Sequence, residues 1–316
     1  YQAWSYWVFR KRLHPDQMTY IADNAEDQVL FFDLTFLPLI EAIAPRVRTI
    51  KSFVAMTDRA HMPKDSKVAD LLCYEDLIAA HDDRFEWPQF DENHASSLCY
   101  TSGTTGNPKG FLYSHRSTML HAYAAALPDA LNLSAADTIL PVVPMFHVNA
   151  WGLPYSCALM GAKLVFPGQH LDGKSLHEMF EKEGVTMSAG VPTVWLGLLN
   201  YMKEAKLRFS TLKSTVIGGS ACPPAMIRTF QEDYGIKVLH AWGMTEMSPL
   251  GTVATFKGKH LEADKEARYA VQYKQGRVIF GVDMKIVDTA GNSLPNDGTP
   301  FGDGRCDRCC DLFSAD

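Results

Sequence analysis

The region from residue 138 to residue 240 alternates short runs rich in β-branched residues with longer segments of helical character. The strand candidates are residues 138–143, 163–166, 185–189, 215–217 and 237–240. The helix candidates are residues 175–183, 193–203 and 224–234. Strands and helices alternating at this spacing predict parallel β-sheets covered by helices, which is an α/β fold. In such sheets ligands bind at the carboxyl ends of strands, where the glycine-bearing loops of this sequence fall.

The flanking regions predict further elements. Upstream, the sequence predicts a buried strand at 29–32, an apolar run at 50–56, and helices at 37–44, 74–80 and 116–127. After residue 251 the pattern changes, because residues 257–274 are strongly charged and residues 276–288 alternate as strands do. Turn-forming residues at 289–292 follow. This downstream pattern predicts the start of a small β subdomain.

Composition excludes several classes of protein. The 316 residues are 47% hydrophobic and carry a net charge of −6, which argues against a nucleic-acid-binding protein. No apolar run is long enough to cross a bilayer, which predicts no integral membrane segment. The seven cysteines are odd in number, and Cys73, Cys99, Cys157 and Cys222 are scattered singly. Reduced thiols in a cytoplasmic protein fit that distribution.

Residues 98–110 pass from an apolar run into a loop rich in hydroxyls and glycines. Its candidate phosphate ligands are Thr101, Ser102, Gly103, Thr104, Thr105, Gly106 and Lys109. Glycines let backbone N–H groups approach phosphate oxygens, hydroxyls donate hydrogen bonds, and the lysine adds a positive charge. We expect the N-terminus of a helix starting near His115 to add to that field.

Two alternative interpretations of this loop can be weighed. An ordinary P-loop has four residues between its glycines, whereas two separate Gly103 from Gly106, and Lys109 is followed by Gly110. The loop is therefore not a P-loop. A flexible surface turn is the other alternative, and we rank it below phosphate binding because a plain turn needs no terminal lysine.

Two later loops carry further candidate residues. In residues 216–221 a strand ends in small residues, including Gly219, Ser220 and Ala221, which lets a flat ring approach the backbone. A hydrolase nucleophile elbow fails here because Cys222 occupies its second glycine position, but a plain strand–helix turn stays open. In residues 241–246 an aromatic ring, a glycine, a hydroxyl and a carboxylate could stack a base, cap a phosphate and hold Mg²⁺. These residues are Trp242, Gly243, Thr245 and Glu246.

A fourth segment, residues 144–152, places His147 and Trp151 in an apolar setting. On their own, such residues are more often a satisfied core histidine and a packing tryptophan. Taken with the other loops, however, residues 100–110 resemble the phosphate-binding signature of the acyl-adenylate-forming, or AMP-binding, superfamily. That superfamily includes acyl-CoA synthetases, luciferases and peptide-synthetase adenylation domains. Residues 144–152 and 189–195 resemble the fatty acyl-CoA synthetase branch.

The resemblance implies ATP-dependent activation of a fatty acid to acyl-AMP and its transfer to coenzyme A, the reaction of an acid–thiol ligase. It implies small-molecule substrates, namely the fatty acid, ATP and coenzyme A, with Mg²⁺ as cofactor, and a homodimer as a possible assembly. It implies catalytic roles for Lys109, His147, Thr245 and Glu246, and a metal site at Thr105 and Glu246. Nucleotide contacts are implied for residues 101–106 and for Gly219, Ser220, Ala221, Trp242 and Gly243. Acyl contacts are implied for His147, Val148, Trp151 and Gly152.

The resemblance also divides the chain. Residues 14–250 resemble the AMP-binding α/β region and residues 251–303 the start of the β subdomain, whereas 1–13 and 304–316 do not resemble the family. The family's Tyr-x-Thr-Gly-Asp motif, hinge and C-terminal domain are not found. We therefore expect a fragment of the large N-terminal domain that does not complete the reaction. The alternative is a non-catalytic nucleotide-binding fragment or an inactive truncated gene product. The cysteines at 306, 309 and 310 suggest half a zinc site or, as we prefer, non-native sequence.

Overall fold

The computed structural model of the protein describes residues 14–101, 107–288 and 292–294. Contacts between Cα atoms divide the chain into two compact units, one ending at Leu112 and the other starting at Tyr113.

The first unit is built on a small parallel sheet. Its strands, in the order β1-β2-β3, are β1 (Val29–Phe32), β2 (Ser52–Ala55) and β3 (Leu72–Cys73). Its α-helices are Pro15–Asn24, Leu37–Ile43 and Tyr74–Ala79, with 3-10 turns at Leu34–Phe36 and Arg59–His61. The core includes Met18, Phe32 and Ile40. The strand at 29–32 is confirmed, but it is not buried throughout, because Val29 and Phe31 point away from that core and are 44% and 46% exposed.

Two further strands flank the predicted phosphate loop. They are β4 (Ala95–Thr101) and β5 (Lys109–Ser114), which form a two-stranded sheet. The helix His115–Ala126 starts only after β5, where the Ser114 side chain accepts a hydrogen bond from the Ser117 N–H. A strand therefore lies between the loop and this helix in the chain, and because residues 102–106 lie outside the described residues, the contribution of the helix dipole to the loop stays a prediction.

The second unit contains a seven-stranded sheet in the order β12-β11-β10-β9-β8-β6-β7. Its strands are β6 (Thr138–Pro141), β7 (Lys163–Leu164), β8 (Met187–Gly190), β9 (Ser214–Ile217), β10 (Lys237–Gly243), β11 (Leu250–Val253) and β12 (Arg277–Val278). Strands β6 to β10 pair in parallel, whereas β11 and β12 pair antiparallel at one edge. This confirms the α/β class predicted from the alternation of strands and helices.

Helices cover both faces of that sheet. The α-helices are His115–Ala126, Leu153–Met160, Gly173–Glu183, Pro192–Ala205, Pro224–Arg228, Gly258–Leu261 and Lys265–Gln272. A π turn, Thr229–Asp233, continues the helix that was predicted for 224–234, and a 3-10 turn spans Thr245–Met247. Side chains alternate along β9, so Val216 joins one core with Ala189, while Ile217 joins the other with Trp195.

The residues after 250 extend the large sheet. Strand β11 crosses the boundary predicted at residue 250, and β12 lies within the stretch predicted as strands at 276–288. An isolated bridge joins Val287 to Ser293, and residues 289–291 of the predicted turn lie outside the described part of the chain. A separate subdomain over 251–303 therefore stays a prediction.

Two expectations from composition can be compared with the described residues. None of the helices in the described ranges is both long and apolar enough to cross a membrane. No disulfide links the four cysteines found there, Cys73, Cys99, Cys157 and Cys222, and each of them is buried. The cysteines at 306, 309 and 310 lie outside the described residues.

Candidate functional site

A cavity of about 290 Å³ opens in the second unit at the carboxyl ends of β8, β9 and β10. This is the edge of the sheet at which the sequence predicted a ligand to bind. The predicted site residues that line it are His147, Val148, Trp151, Gly219, Trp242, Gly243, Thr245 and Glu246. Three separate motifs of the sequence thus meet at one cavity.

One part of the cavity is apolar because of the sheet beneath it. Ala189 and Ala241 present small side chains on β8 and β10, and Val216 lies between them on β9. Leucines from three surrounding segments complete this part, namely Leu131, Leu153 and Leu250. Such a surface binds hydrocarbon by removing it from water.

A second part of the cavity is formed by the end of β10 and the turn after it. The pairing of β10 with β11 shifts register between Trp242 and Gly243, and the Met244 N–H donates to the Pro249 carbonyl at 3.0 Å. A Cβ atom at Gly243 would lie 2.1 Å from that carbonyl oxygen, so this approach requires glycine. The Tyr113 hydroxyl donates to the Thr245 carbonyl, which holds the turn.

Residues 148–151 form a left-handed turn on the wall of the cavity. The φ angles of Val148, Asn149, Ala150 and Trp151 are 50°, 51°, 51° and 59°. This conformation costs non-glycine residues roughly 1–2 kcal/mol each. Strained backbone of this kind clusters at functional sites. The turn therefore supports a binding role for this segment independently of its sequence.

The turn brings Trp151 against the loop that follows β9. A Cβ atom at Gly218 would lie 3.3 Å from Trp151 Cη2, and one at Gly219 would lie 3.7 Å from Cζ2. The indole therefore packs over these two glycines. The segment predicted for the acyl group and the one predicted for adenine are consequently in direct contact.

His121 lies behind the same turn and was not identified from the sequence. Its Nε2 accepts the Leu250 N–H at 3.0 Å, and a Cβ atom at Gly152 would lie 2.8 Å from its ring. Burial lowers the pKa of His121 to about 4, so the ring is neutral at pH 7. His121 thus joins Gly152 to the Leu250 backbone on the cavity wall.

The remaining predicted residues do not line the cavity. Gly152 lies beside it, in a cavity of about 10 Å³ shared with His121, and Ser220 and Ala221 are exposed to solvent. Thr101 ends β4 and Lys109 begins β5, both in the first unit. The other predicted phosphate ligands, Ser102, Gly103, Thr104, Thr105 and Gly106, lie outside the described residues.

Several cavity residues were missed by the sequence analysis. Leu131 and Pro249 lie outside the motifs, and Tyr113 and His121 act on the cavity from behind its wall. Residues of this kind belong to no sequence motif, so the sequence gives no sign of their role. Only their contacts in the structure show that they form or support the cavity.

Among the described residues, few side chains at the cavity could bind a metal ion. Glu246 is exposed at the cavity, and no group of three or more histidine, cysteine, aspartate or glutamate side chains in the described ranges could hold a metal ion. Mg²⁺ commonly binds through one or two carboxylates together with substrate phosphates and water. A single carboxylate therefore fits an ion that arrives with a nucleotide.

Comparisons with known proteins give consistent matches. The family described as AMP-binding enzyme matches residues 6–304. A 3-methylmercaptopropionyl-CoA ligase from Ruegeria lacuscaerulensis is 52% identical, covering 92% of this chain and 54% of the relative. A medium-chain-fatty-acid–CoA ligase from Ectopseudomonas oleovorans is also 52% identical, covering 92% of this chain and 53% of the relative.

Among solved structures, an anthranilate CoA ligase in complex with anthranoyl-AMP has the same fold. It superposes with a TM-score of 0.78 at 23% identity, over 91% of this chain and 52% of that one. The chain thus spans about half the length of the curated relatives it matches.

Proposed function

We propose, from the premise that this chain belongs to the AMP-binding enzyme family, that it carries the nucleotide- and acyl-binding part of an acid–thiol ligase. In the proposed reaction, a carboxylate oxygen attacks the α-phosphorus of ATP, and pyrophosphate leaves. The sulfur of coenzyme A then attacks the carbonyl carbon of the acyl-AMP, and AMP leaves. The observation that carries the proposal is the shared cavity, where the Trp242–Glu246 segment and the left-handed turn meet.

Each part of the cavity suits one substrate. Trp242 and Gly219 would bind the adenine ring by stacking and close backbone approach, and Thr245 would donate to a phosphate oxygen. Glu246 would hold the Mg²⁺ that accompanies ATP, which neutralises phosphate charge when bound. We propose that Lys109 and the loop before it bind the remaining phosphates.

The acyl group would occupy the apolar part of the cavity. His147 would lie beside the reacting carboxylate, with Val148 and Trp151 along the chain. We propose an unbranched aliphatic acid of medium or long chain, because no lysine or arginine of the described residues lines the cavity to pair with a second carboxylate. The names of the two curated relatives, which refer to a thioether acid and to medium-chain fatty acids, support an uncharged chain.

Binding and turnover need separate tests. Calorimetric titration of this chain with AMP, Mg·ATP and octanoate measures the proposed sites directly. Thioester formation is then measured on a protein of the relatives' full length. We expect both nucleotides and octanoate to bind, and octanoate to be preferred over benzoate and amino acids. Preferential binding of an amino acid or an aromatic acid would contradict the acyl assignment, and binding without thioester formation would favour a non-catalytic nucleotide-binding protein.

We propose a cytoplasmic protein on the basis of the reduced cysteines and the CoA-ligase relatives. The homodimer stays a prediction.

A further inference from the structure

His240 lies on β10 and faces away from the cavity. Its neighbours Leu239 and Ala241 belong to the core on the cavity side, whereas Val238 belongs to the core on the other face. The His240 side chain is buried on that other face and is 1% exposed. It therefore cannot contact a ligand in the cavity.

Both ring nitrogens of His240 face backbone groups. Nε2 lies 3.2 Å from the Cys222 amide nitrogen, and Nδ1 lies 3.3 Å from the Gln272 carbonyl oxygen. Because an amide N–H can only donate and a carbonyl can only accept, the ring is neutral and carries its proton on Nδ1. Burial also lowers the pKa of His240, which favours the same neutral form.

The Cys222 amide belongs to the loop that forms one wall of the cavity. Gly219 lines the cavity with a φ of 76°, and Gly218 contacts the Trp151 indole. Within the described part of the chain, the backbone of residues 219–222 makes one hydrogen bond to the rest of the protein, from Cys222 to His240. The histidine thus holds the rear of a loop whose front faces the ligand.

The other partner of His240 is itself held firmly. Gln272 is 4% exposed, and its side-chain amide exchanges two hydrogen bonds with Gln231, at 2.7 and 3.1 Å. Gln272 ends the helix Lys265–Gln272, which packs in the layer behind the sheet. His240 therefore ties the loop to a rigid polar pair in that layer.

We propose that His240 is a positioning residue that fixes the loop 218–222 for nucleotide binding through the Cys222 amide. The inference rests on the proposed function, because it takes that loop to be the nucleotide wall. Replacing His240 with an apolar residue leaves the amide without its acceptor and frees the loop. Nucleotide affinity then falls, whereas Ala189, Val216 and Ala241 of the apolar part lie on strands of the sheet and keep their positions.

Four proteins test this: wild type, His240→Leu, His240→Gln and His177→Leu. Glutamine can still accept and donate, so it is the conservative variant. His177 is a matched control, because it is also a buried histidine, 9% exposed, whose Nε2 lies 3.0 Å from the Arg208 carbonyl oxygen. It lies on the helix Gly173–Glu183, away from the loop 218–222 in the sequence. The readouts are amide hydrogen exchange at Cys222 and calorimetric titration with AMP and octanoate.

For His240→Leu we expect exchange at Cys222 to speed up and the Kd for AMP to rise, each by roughly tenfold, with octanoate binding changed by less than about twofold. His240→Gln should recover part of both effects, and His177→Leu should produce neither.

Unchanged exchange at Cys222 in His240→Leu would overturn the proposal, as would equal losses for AMP and octanoate. If His240→Leu does not fold, His240→Gln decides. Faster exchange at Cys222 together with a smaller loss of affinity that is confined to AMP would support the proposal. A glutamine variant indistinguishable from His177→Leu, or one losing AMP and octanoate alike, would overturn it. If wild type fails to bind AMP, the proposed function fails, whereas the exchange rates still decide whether His240 holds the loop.

Discussion

A methyl group at residue 218 would contact two cavity-lining groups at once. It would lie 3.1 Å from the Ala241 carbonyl oxygen and 3.3 Å from Trp151 Cη2. For Gly218→Ala we expect a loss of about 1–3 kcal/mol in the free energy of unfolding, because the strand end and the indole must move apart. Urea unfolding followed by circular dichroism measures it.

Gly197→Ala provides the control for that substitution. Gly197 is exposed inside the helix Pro192–Ala205, and apart from its chain neighbours and the backbone of its own helix no atom lies within 4 Å of an added Cβ. Alanine should therefore raise the free energy of unfolding by about 0.5–1 kcal/mol. If Gly218→Ala were as stable as Gly197→Ala, the Trp151 indole would not pack against Gly218.

At the end of β10, we expect Trp242 to bind the adenine base and Glu246 to bind the metal ion. Trp242→Ala removes stacking worth about 0.5–1.5 kcal/mol, so AMP and Mg·ATP should both bind more weakly. Glu246→Gln should weaken Mg·ATP more than AMP, because only Mg·ATP brings a cation that needs a carboxylate. Calorimetric titration of both variants with both nucleotides tests this division. If Glu246→Gln, like Trp242→Ala, weakened AMP and Mg·ATP equally, the division would be contradicted.

Among the elements, the helix Pro192–Ala205 ends on a residue in a conformation that favours glycine. Its C-cap, Lys206, has a φ of 54° and is exposed. Lys206→Gly should raise the free energy of unfolding by about 0.5–1 kcal/mol, since relief of left-handed strain exceeds the extra entropy of the unfolded chain. Thermal and urea unfolding measure the change.

The same helix supplies the matched variant for the cap. Lys203 lies inside the last turn and is also exposed, so Lys203→Gly should lower stability by about 1 kcal/mol. If the free energy of unfolding rises in Lys206→Gly and falls in Lys203→Gly, the left-handed conformation of residue 206 is supported. A loss of stability in both variants would mean that residue 206 is not left-handed in solution.

For the molecule as a whole, buried histidines predict a loss of stability in acid. The pKa of His121 is about 4 in the folded protein, against an ordinary value of 6.5. The unfolded chain therefore binds more protons between these values, and the free energy of unfolding falls as the pH drops from about 6.5 to about 4. The full loss from this one residue is roughly 3 kcal/mol. The pKa of His240 is also lowered by burial, which adds a loss of the same sign.

Urea unfolding of wild type and His121→Gln at pH 7, 5 and 4 tests this origin of the acid sensitivity. The variant should be less stable at pH 7 because the Leu250 N–H loses its acceptor, but its stability should depend less on pH. Parallel pH profiles for the two proteins would show that His121 is not the titrating group.

The sequence by itself determined the α/β class, the principal strands and helices of the second unit, and three motifs that converge on one cavity. These features depend on local quantities. Side-chain periodicity follows backbone geometry, and the carboxyl ends of parallel strands lie at one edge whatever the details of packing. Val216 and Ala241 therefore face the same cavity.

Only the tertiary structure decided the rest. Strand β5 separates the loop from the helix at His115, and β11 and β12 join the large sheet antiparallel, because strand pairing depends on partners distant in sequence. Ser220 and Ala221 lie outside the cavity, while His121 and His240 support it from behind through backbone groups more than a dozen residues away in sequence. A buried hydrogen bond of that kind leaves no periodicity in the sequence, so the contact itself is the only signal.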